Sequence, residues 1–303
     1  MIDWPSLHLT DAAAVDRLLR INEYHLDQQR DRDHLLGIHN EAVGYLKGQL
    51  RMDLSAELLR LPIPDLFLTA SQFKDARLQS MACSVLKAMN IINHINGREL
   101  LYHCPISMRD LCSLVEDKIE RELSNLARVV LPGIKYEGGR KPKDSLITKL
   151  LGKKETIAAQ INDRVRYRIV TPRRADVDTV IFKLFETVLP FNYVIPNAST
   201  DDLREPFLRL GLRRRINRLL RRDYTGSSYR VVKFAVDIPV RLDRFLNAAS
   251  HGLRTESLGN IGYVIVEFQV VDEATDRQNN AGENAHPLYK NRQRAGVRRR
   301  LGG

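Results

Sequence analysis

From Asp11 to about Arg128 the apolar residues recur at helical spacing, as in Leu18, Leu19 and Ile21 and again in Leu111, Val115, Ile119, Leu123 and Leu126. This half reads as helices. Breaks are predicted at Pro62 to Pro64, at Asn96-Gly97 and at Cys104-Pro105, with Ser107 as the N-cap of the helix that follows. The connections are short, so the helices are expected to pack as antiparallel neighbours.

The pattern changes at Leu131-Pro132-Gly133 and Glu137-Gly138-Gly139, residues that do not continue a helix and that read as a loop. Beyond them the periodicity alternates. A helix is predicted over Asp144 to Leu151, a strand over Val165 to Val170 and a helix over Ala175 to Val188, opened favourably by Asp176 and Asp178. An extended run over Phe191 to Ile195 precedes a basic helical stretch, Asp201 to Arg222. Two strands rich in β-branched residues follow, Tyr229 to Ile238 and Ile261 to Val271, and then a closing helix from about Ala285 into Arg298-Arg299-Arg300. The expected class is α+β: a helical domain over residues 1–132, then a mixed β-sheet with flanking helices over 133–303, ending in a basic tail.

Composition narrows the function. The 303 residues, 43% hydrophobic and 28% charged, suit a globular protein of about two domains. A formal charge of +11 favours polyanionic partners, whether nucleotides, nucleic acid or anionic lipid. Asp3, Asp11 and Asp16 interrupt the start, so no secretory leader is read there, and no apolar run approaches the roughly 20 residues that cross a bilayer. A cytoplasmic protein without a membrane partner is expected. Cys83, Cys104 and Cys112 are odd in number and widely spaced, which argues for buried reduced thiols and against a disulfide framework or a zinc site at His103-Cys104.

Four segments of the second half carry residues suited to phosphoryl or pyrophosphoryl transfer, which needs cations for phosphates, carboxylates for a divalent ion and a base. In the first, Gly139 to Lys149, a basic loop with Arg140 and Lys143 meets a helix start at Ser145, and Lys149 lies one turn on along the same face. The plain alternative is a solvated basic loop with a capped helix. In the second, Ile161 to Val170, Asp163 stands at the mouth of a strand whose period of two puts Arg164, Arg166 and Arg168 on one face. Those arginines need an anionic partner, or else the strand is an edge with that face in water. In the third, Val264 to Val271, Glu267 and Gln269 share one face of an otherwise apolar strand. A carboxylate there meets either a metal shared with Asp163 or a structural ion pair with a strand arginine. The fourth, Ala285-His286-Pro287-Leu288-Tyr289-Lys290, opens the last helix.

In order, these segments resemble the synthetase domain of the RelA/SpoT family, a nucleotidyltransferase-like fold. Arg140, Lys143, Ser145 and Lys149 match its basic loop and helix. Ile161, Asp163 and Arg168 match its Ile-x-Asp and strand arginine, Glu267 and Gln269 its Glu-x-Gln strand, and Ala285, His286, Tyr289 and Lys290 its Ala-His-x-x-Tyr-Lys helix start. The resemblance covers about Gly139 to Lys290. It implies transfer of pyrophosphate from ATP to the 3′-hydroxyl of GDP or GTP, with Mg2+ held by Asp163 and Glu267. Glu267 would also be the base, and Arg140, Lys143 and Ser145 would hold the ATP phosphates. The remaining matched residues, Lys149, Arg168, Gln269, His286, Tyr289 and Lys290, would line the nucleotide site.

The family's Gly-Tyr-x-Ser turn corresponds to Gly226-Ser227-Ser228-Tyr229, which lacks an aromatic at the matching place; Tyr224 or Tyr229 would have to supply the stacking face. The family's lysine before that turn is replaced by Arg221 or Arg222. No His-Asp dipeptide marks a hydrolase domain. Two other readings keep the same fold. One is a lapsed module that binds RNA or nucleotide through Arg213-Arg214-Arg215, Arg218, Arg221, Arg222 and the tail; the other is a toxin-like pyrophosphokinase acting on an adenine nucleotide or tRNA. A homo-oligomer is left open.

Overall fold

The computed structural model describes residues 9–72, 75–152, 164–203, 228–248, 256–282 and 285–302. Among them the chain is mixed α and β, and it forms two compact units. One is Met1–Leu111 with Pro239–Val264; the other is Cys112–Ile238 with Ile265–Gly303. No helix of the described residues is long and apolar enough to cross a membrane.

In the first unit, helices α1 (Ala12–Ile21), α2 (Gln29–Gly48), α3 (Ala56–Leu59), α4 (Ile63–Ser71) and α5 (Ala76–His103) follow one another. Their starts have local causes. The Asp11 side chain accepts from the Ala14 amide at 2.8 Å, and Asp75 accepts from Arg77 and Leu78, so amides with no partner inside the helix are satisfied. The prolines at 62 and 64 open a helix rather than end one: α3 is already over at Leu59, and Pro62 is the N-cap of α4. The 28-residue α5 packs against both α2 and α4, burying Val85, Leu86 and Met89 with Leu35, Ile38, Leu66 and Ala70.

The break expected at Asn96-Gly97 does not occur, and α5 runs through it. Gly97 serves packing there. A Cβ on it would lie 2.3 Å from the Tyr263 ring and 2.6 Å from the Ile261 carbonyl oxygen, so its bare backbone is what lets the chain at 261–263 come so close. Tyr263 in turn accepts from Asn93 Nδ2 (2.8 Å), whose Oδ1 accepts from the Tyr24 hydroxyl (2.7 Å), and that hydroxyl is 3.1 Å from His34 Nδ1. At the C-terminal end of α5 the break is as expected, with Cys104 as the C-cap. The three cysteines are buried thiols.

The second unit takes in most of α6 (Met108–Asn125), whose first amides are met by Ser107, its hydroxyl accepting from the Asp110 amide at 3.1 Å. The helix loosens into a π turn over Leu126–Val130 before the chain turns into a sheet. Strands β1 (Lys135–Arg140), β2 (Val165–Thr171), β3 (Val194–Asp201), β4 (Val232–Arg241) and β5 (Ile261–Asp272) form one sheet in the order β1-β2-β5-β4-β3. The pair β1–β2 is antiparallel, β2–β5 parallel and β3–β4 antiparallel, so the sheet is mixed. Helices α7 (Lys143–Gly152), α8 (Asp176–Thr187), α9 (Asp243–Ala248), α10 (Glu273–Asn279) and α11 (His286–Arg300) complete the described elements.

Three expectations change. The glycine-rich stretch read as a loop is β1, where Gly138 faces the Tyr167 ring so closely that a Cβ would stand 2.1 Å from it; glycine here makes room in a strand. The extended run at Phe191 begins as a 3-10 turn over Phe191–Tyr193 and becomes β3 at Val194. Asp201 ends β3 instead of opening a helix, and the rest of the basic stretch, 204–222, lies outside the described residues.

The sheet has two chemically different faces. On one, Tyr167, Phe268 and Phe234 stack in series, with Phe185 of α8 against Phe234 and the Tyr167 hydroxyl reaching Glu116 and Glu120 of α6. The side chains between them along β2, β4 and β5 point to the other face.

Candidate functional site

That other face carries the charged residues. Register places Arg166 beside Glu267 and Arg168 beside Gln269 on the parallel strands β2 and β5, so the alternation seen in each strand converges on one surface. Glu267 is buried, with its side chain 8% exposed. Its Oε2 lies 2.8 Å from Lys233 Nζ of β4, and its Oε1 accepts from Gln269 Nε2 at 2.9 Å. Gln269 Oε1 accepts from Arg168 Nη1 at 3.0 Å. The Arg168 guanidinium also donates from Nε and Nη2 to Asp276 of α10 and from Nη1 to the Tyr229 hydroxyl at 3.2 Å. Lys233, Glu267, Gln269, Arg168 and Asp276 therefore form one continuous polar chain across three strands and a helix.

Charge within it is balanced. Burial alone would lower the pKa of Arg168; the Tyr229 and Asp276 oxygens outweigh burial and hold it above its ordinary value. Tyr229 is positioned from behind. Buried Asn279 of α10 accepts from the Arg230 amide (3.0 Å) and donates to its carbonyl (2.6 Å), which fixes the backbone next to Tyr229.

A second cluster forms where α7 packs against α11. Lys290 Nζ donates to Ser145 Oγ at 3.1 Å, which joins the first and fourth sequence segments. Lys143 is exposed at the start of α7, and Lys149 lies one turn beyond Ser145. Tyr289 is half-buried beside Lys290, and His286 opens α11.

Arg140 stands apart from both clusters. It pairs across the strands with Val165 and so lies in line with Tyr167, on the face that α6 covers. Its guanidinium is bonded to Glu116 through Nε (3.0 Å) and Nη2 (2.6 Å) and to Ser113 Oγ (2.6 Å). Asp163 and Arg222 lie outside the described residues.

The sequence reading missed Lys233 and Asp276 as partners of this face. Lys233 carried a signal, since it interrupts a β-branched strand in the same way as Glu267 does. Asp276, on a short helix after β5, carried none.

Among the described residues no group of three or more histidines, cysteines or acids could hold a metal ion. The donors still fit Mg2+ arriving on a polyphosphate. Glu267 offers a carboxylate oxygen, the ligand that hard ions take, and Mg2+ needs only one or two protein carboxylates when phosphates and water complete its shell. Lys233, Arg166 and Arg168 on the same face suit the phosphates themselves.

No family model matches the chain, and no curated protein does. Among solved structures it is similar to the small alarmone synthetase 1 from Bacillus subtilis, at 16% identity over 62% of this chain and 85% of that one, with a TM-score of 0.35. The small alarmone synthetase 2 from Bacillus subtilis aligns at 15% identity over 63% of this chain and 92% of that one, TM-score 0.35. A GTP pyrophosphokinase family protein from Streptococcus pneumoniae aligns at 15% identity over 63% and 84%, TM-score 0.34.

Proposed function

We propose that the protein is a Mg2+-dependent pyrophosphokinase that moves the β,γ-diphosphate of ATP to the 3′-hydroxyl of a guanine nucleotide, GDP or GTP. The observation that carries this reading is the buried carboxylate of Glu267 on a sheet face where Lys233, Arg166 and Arg168 stand close by. A buried carboxylate set between cations suits a base that works among phosphates. The order of the sequence motifs supports the same reading.

In this reaction the acceptor 3′-oxygen bonds to the β-phosphorus of ATP and the bridge between the α- and β-phosphates breaks. AMP leaves, and the hydroxyl proton passes to Glu267. Mg2+, held by Glu267 and Asp163 together with phosphate oxygens, would neutralise charge on the moving diphosphate. Gln269 orients Glu267 by donating to Oε1, leaving Oε2 for the ion or the proton. Lys143, Ser145, Lys149 and Lys290 hold the ATP phosphates at the α7–α11 cluster, whereas Arg140, bound to Glu116 and Ser113 on the opposite face, takes no part in it. Tyr229, held at Arg168, supplies an aromatic face for the acceptor base, and Arg222, His286 and Tyr289 complete the nucleotide contacts.

The test is transfer of label from γ-labelled ATP in the presence of Mg2+ to GDP, GTP, ADP or bulk tRNA in turn. Label on GDP or GTP, removed by EDTA and reduced at least about 100-fold by Glu267→Gln, is the expected result. Transfer to ADP or tRNA alone would move the acceptor. A folded protein that labels nothing, or retains RNA in a salt-sensitive way without transfer, would overturn the proposal.

A further inference from the structure

We propose that Asp276 is a positioning residue for the transfer reaction: by anchoring Arg168 it decides which way the Gln269 amide faces, and through that amide it sets the carboxylate of Glu267. This rests on the reading of Glu267 as the base.

The chain of contacts has a fixed polarity. A guanidinium only donates hydrogen bonds, so the Gln269 atom that meets Arg168 Nη1 at 3.0 Å must be its carbonyl oxygen. The other end of the same amide, Nε2, is thereby turned to Glu267 and donates to Oε1 at 2.9 Å. An amide turned over would set its NH2 against the guanidinium and its oxygen against the carboxylate, losing both bonds and opposing like partners at each end. Arg168 thus controls the surroundings of Glu267 through Gln269.

Arg168 can do this only if it is held. Nε and Nη2, one edge of the planar fork, both donate to Asp276 Oδ1, and Nη1 is then aimed at Gln269 and the Tyr229 hydroxyl. The two side chains of this ion pair are 24% and 23% exposed, so water competes little for it. Asp276 is itself carried on an anchored helix. Asp272 caps α10 by accepting from the Thr275 amide (3.0 Å) and hydroxyl (2.7 Å), and Asn279, one turn beyond Asp276, is buried against the Arg230 backbone. One short helix therefore holds the base through Asp276 and the backbone beside Tyr229 through Asn279.

The experiment measures label transfer by the full chain at saturating Mg2+ for Asp276→Ala, Gln269→Met and the double variant. Asp276→Ala is expected to lower kcat at least about tenfold while KM for ATP changes by less than about threefold, and Asp276→Asn, which keeps an acceptor oxygen for the fork, to recover most of that loss. In the Gln269→Met background, which has no amide to orient, removing Asp276 should change kcat by less than about twofold. An ion pair that only stabilised the fold would cost the same factor in both backgrounds, and that result overturns the proposal. The orientation is also read without turnover, from solvent exchange of the Gln269 side-chain NH2 protons by nuclear magnetic resonance, assigned as the signal lost in Gln269→Met. Exchange should be at least about tenfold faster in Asp276→Ala than in wild type, and equal rates overturn the proposal. Should Asp276→Ala not fold, Arg168→Lys, which keeps the charge without the fork, is measured in its place with the same expectations. Transfer that is indifferent to Asp276 sinks the positioning role only; faster amide exchange in a protein that labels nothing sinks the reaction only.

Discussion

Replacing Gly97 with alanine adds one methyl group to the middle of α5, and two opposed effects can be sized. Alanine is the better helix former by about 1 kcal/mol, which alone would stabilise the protein. The new Cβ would, however, stand 2.3 Å from Tyr263 Cε2 and 2.6 Å from the Ile261 carbonyl oxygen, where ordinary contacts between carbon atoms lie near 3.5–4.0 Å. Both neighbours would have to retreat by about 1 Å. Neither does so easily: the Tyr263 ring is buried and its hydroxyl is held by Asn93, and the Ile261 carbonyl is backbone of β5. Overpacking of this kind costs about 1–3 kcal/mol, and the backbone clash argues for the upper end. Gly97→Ala is therefore expected to destabilise by about 2 kcal/mol net. Gly37, on the exposed side of α2, has nothing within 4 Å of its added Cβ, so Gly37→Ala should stabilise by up to about 1 kcal/mol. Urea midpoints of the two variants against wild type, at unchanged m-value, are the assay. A Gly97→Ala protein as stable as wild type would refute the packing explanation for this glycine.

Other perturbations follow from the same contacts. Burial holds the His34 pKa below its ordinary value, with Asp31 raising it and Arg30 lowering it, so the native state resists protonation that the unfolded chain accepts. Stability is then full above the unfolded pKa of about 6.5 and falls as pH drops below it towards the folded value; Tm between pH 7.5 and 5.5 should decline in wild type and less so in His34→Gln. Asp31 is buried against Arg241 at 2.7 Å, and Asp31→Asn, which leaves that guanidinium only Asp243 as a counter-ion, should cost about 2 kcal/mol in urea denaturation. Asn279→Ala removes both hydrogen bonds to the Arg230 backbone and should cost about 1–2 kcal/mol. In the transfer assay, that variant should raise the acceptor KM more than it lowers kcat if Tyr229 contacts the acceptor.

Much of the fold was legible because it depends on neighbours in sequence. Asp11, Asp75 and Ser107 are helix starts through hydrogen bonds that span no more than three residues. The period of two in Val165–Thr171 and Ile261–Asp272 is a local property of each strand, and it placed Arg166 and Arg168, and Glu267 with Gln269, on common faces before any partner was known. Where the local signal and the packing disagree, the sequence alone misleads. Gly97 and Gly138 read as breakers, yet each is a glycine inside a regular element because an aromatic ring occupies the space of its side chain. Which ring does so depends on residues far away along the chain.

What the sequence by itself determined is the class of the fold, the position of most elements and the candidate chemistry on each strand. Only the tertiary structure decided who meets whom. The register of β2 on β5 brings Arg168 to Gln269, the β4–β5 neighbourhood gives Glu267 a lysine in place of an arginine, and α10 returns Asp276 to Arg168 across 108 positions of chain. Propensity and periodicity act within a few residues, whereas strand register and helix docking are chosen by the burial of whole faces, and no short window of sequence contains that sum.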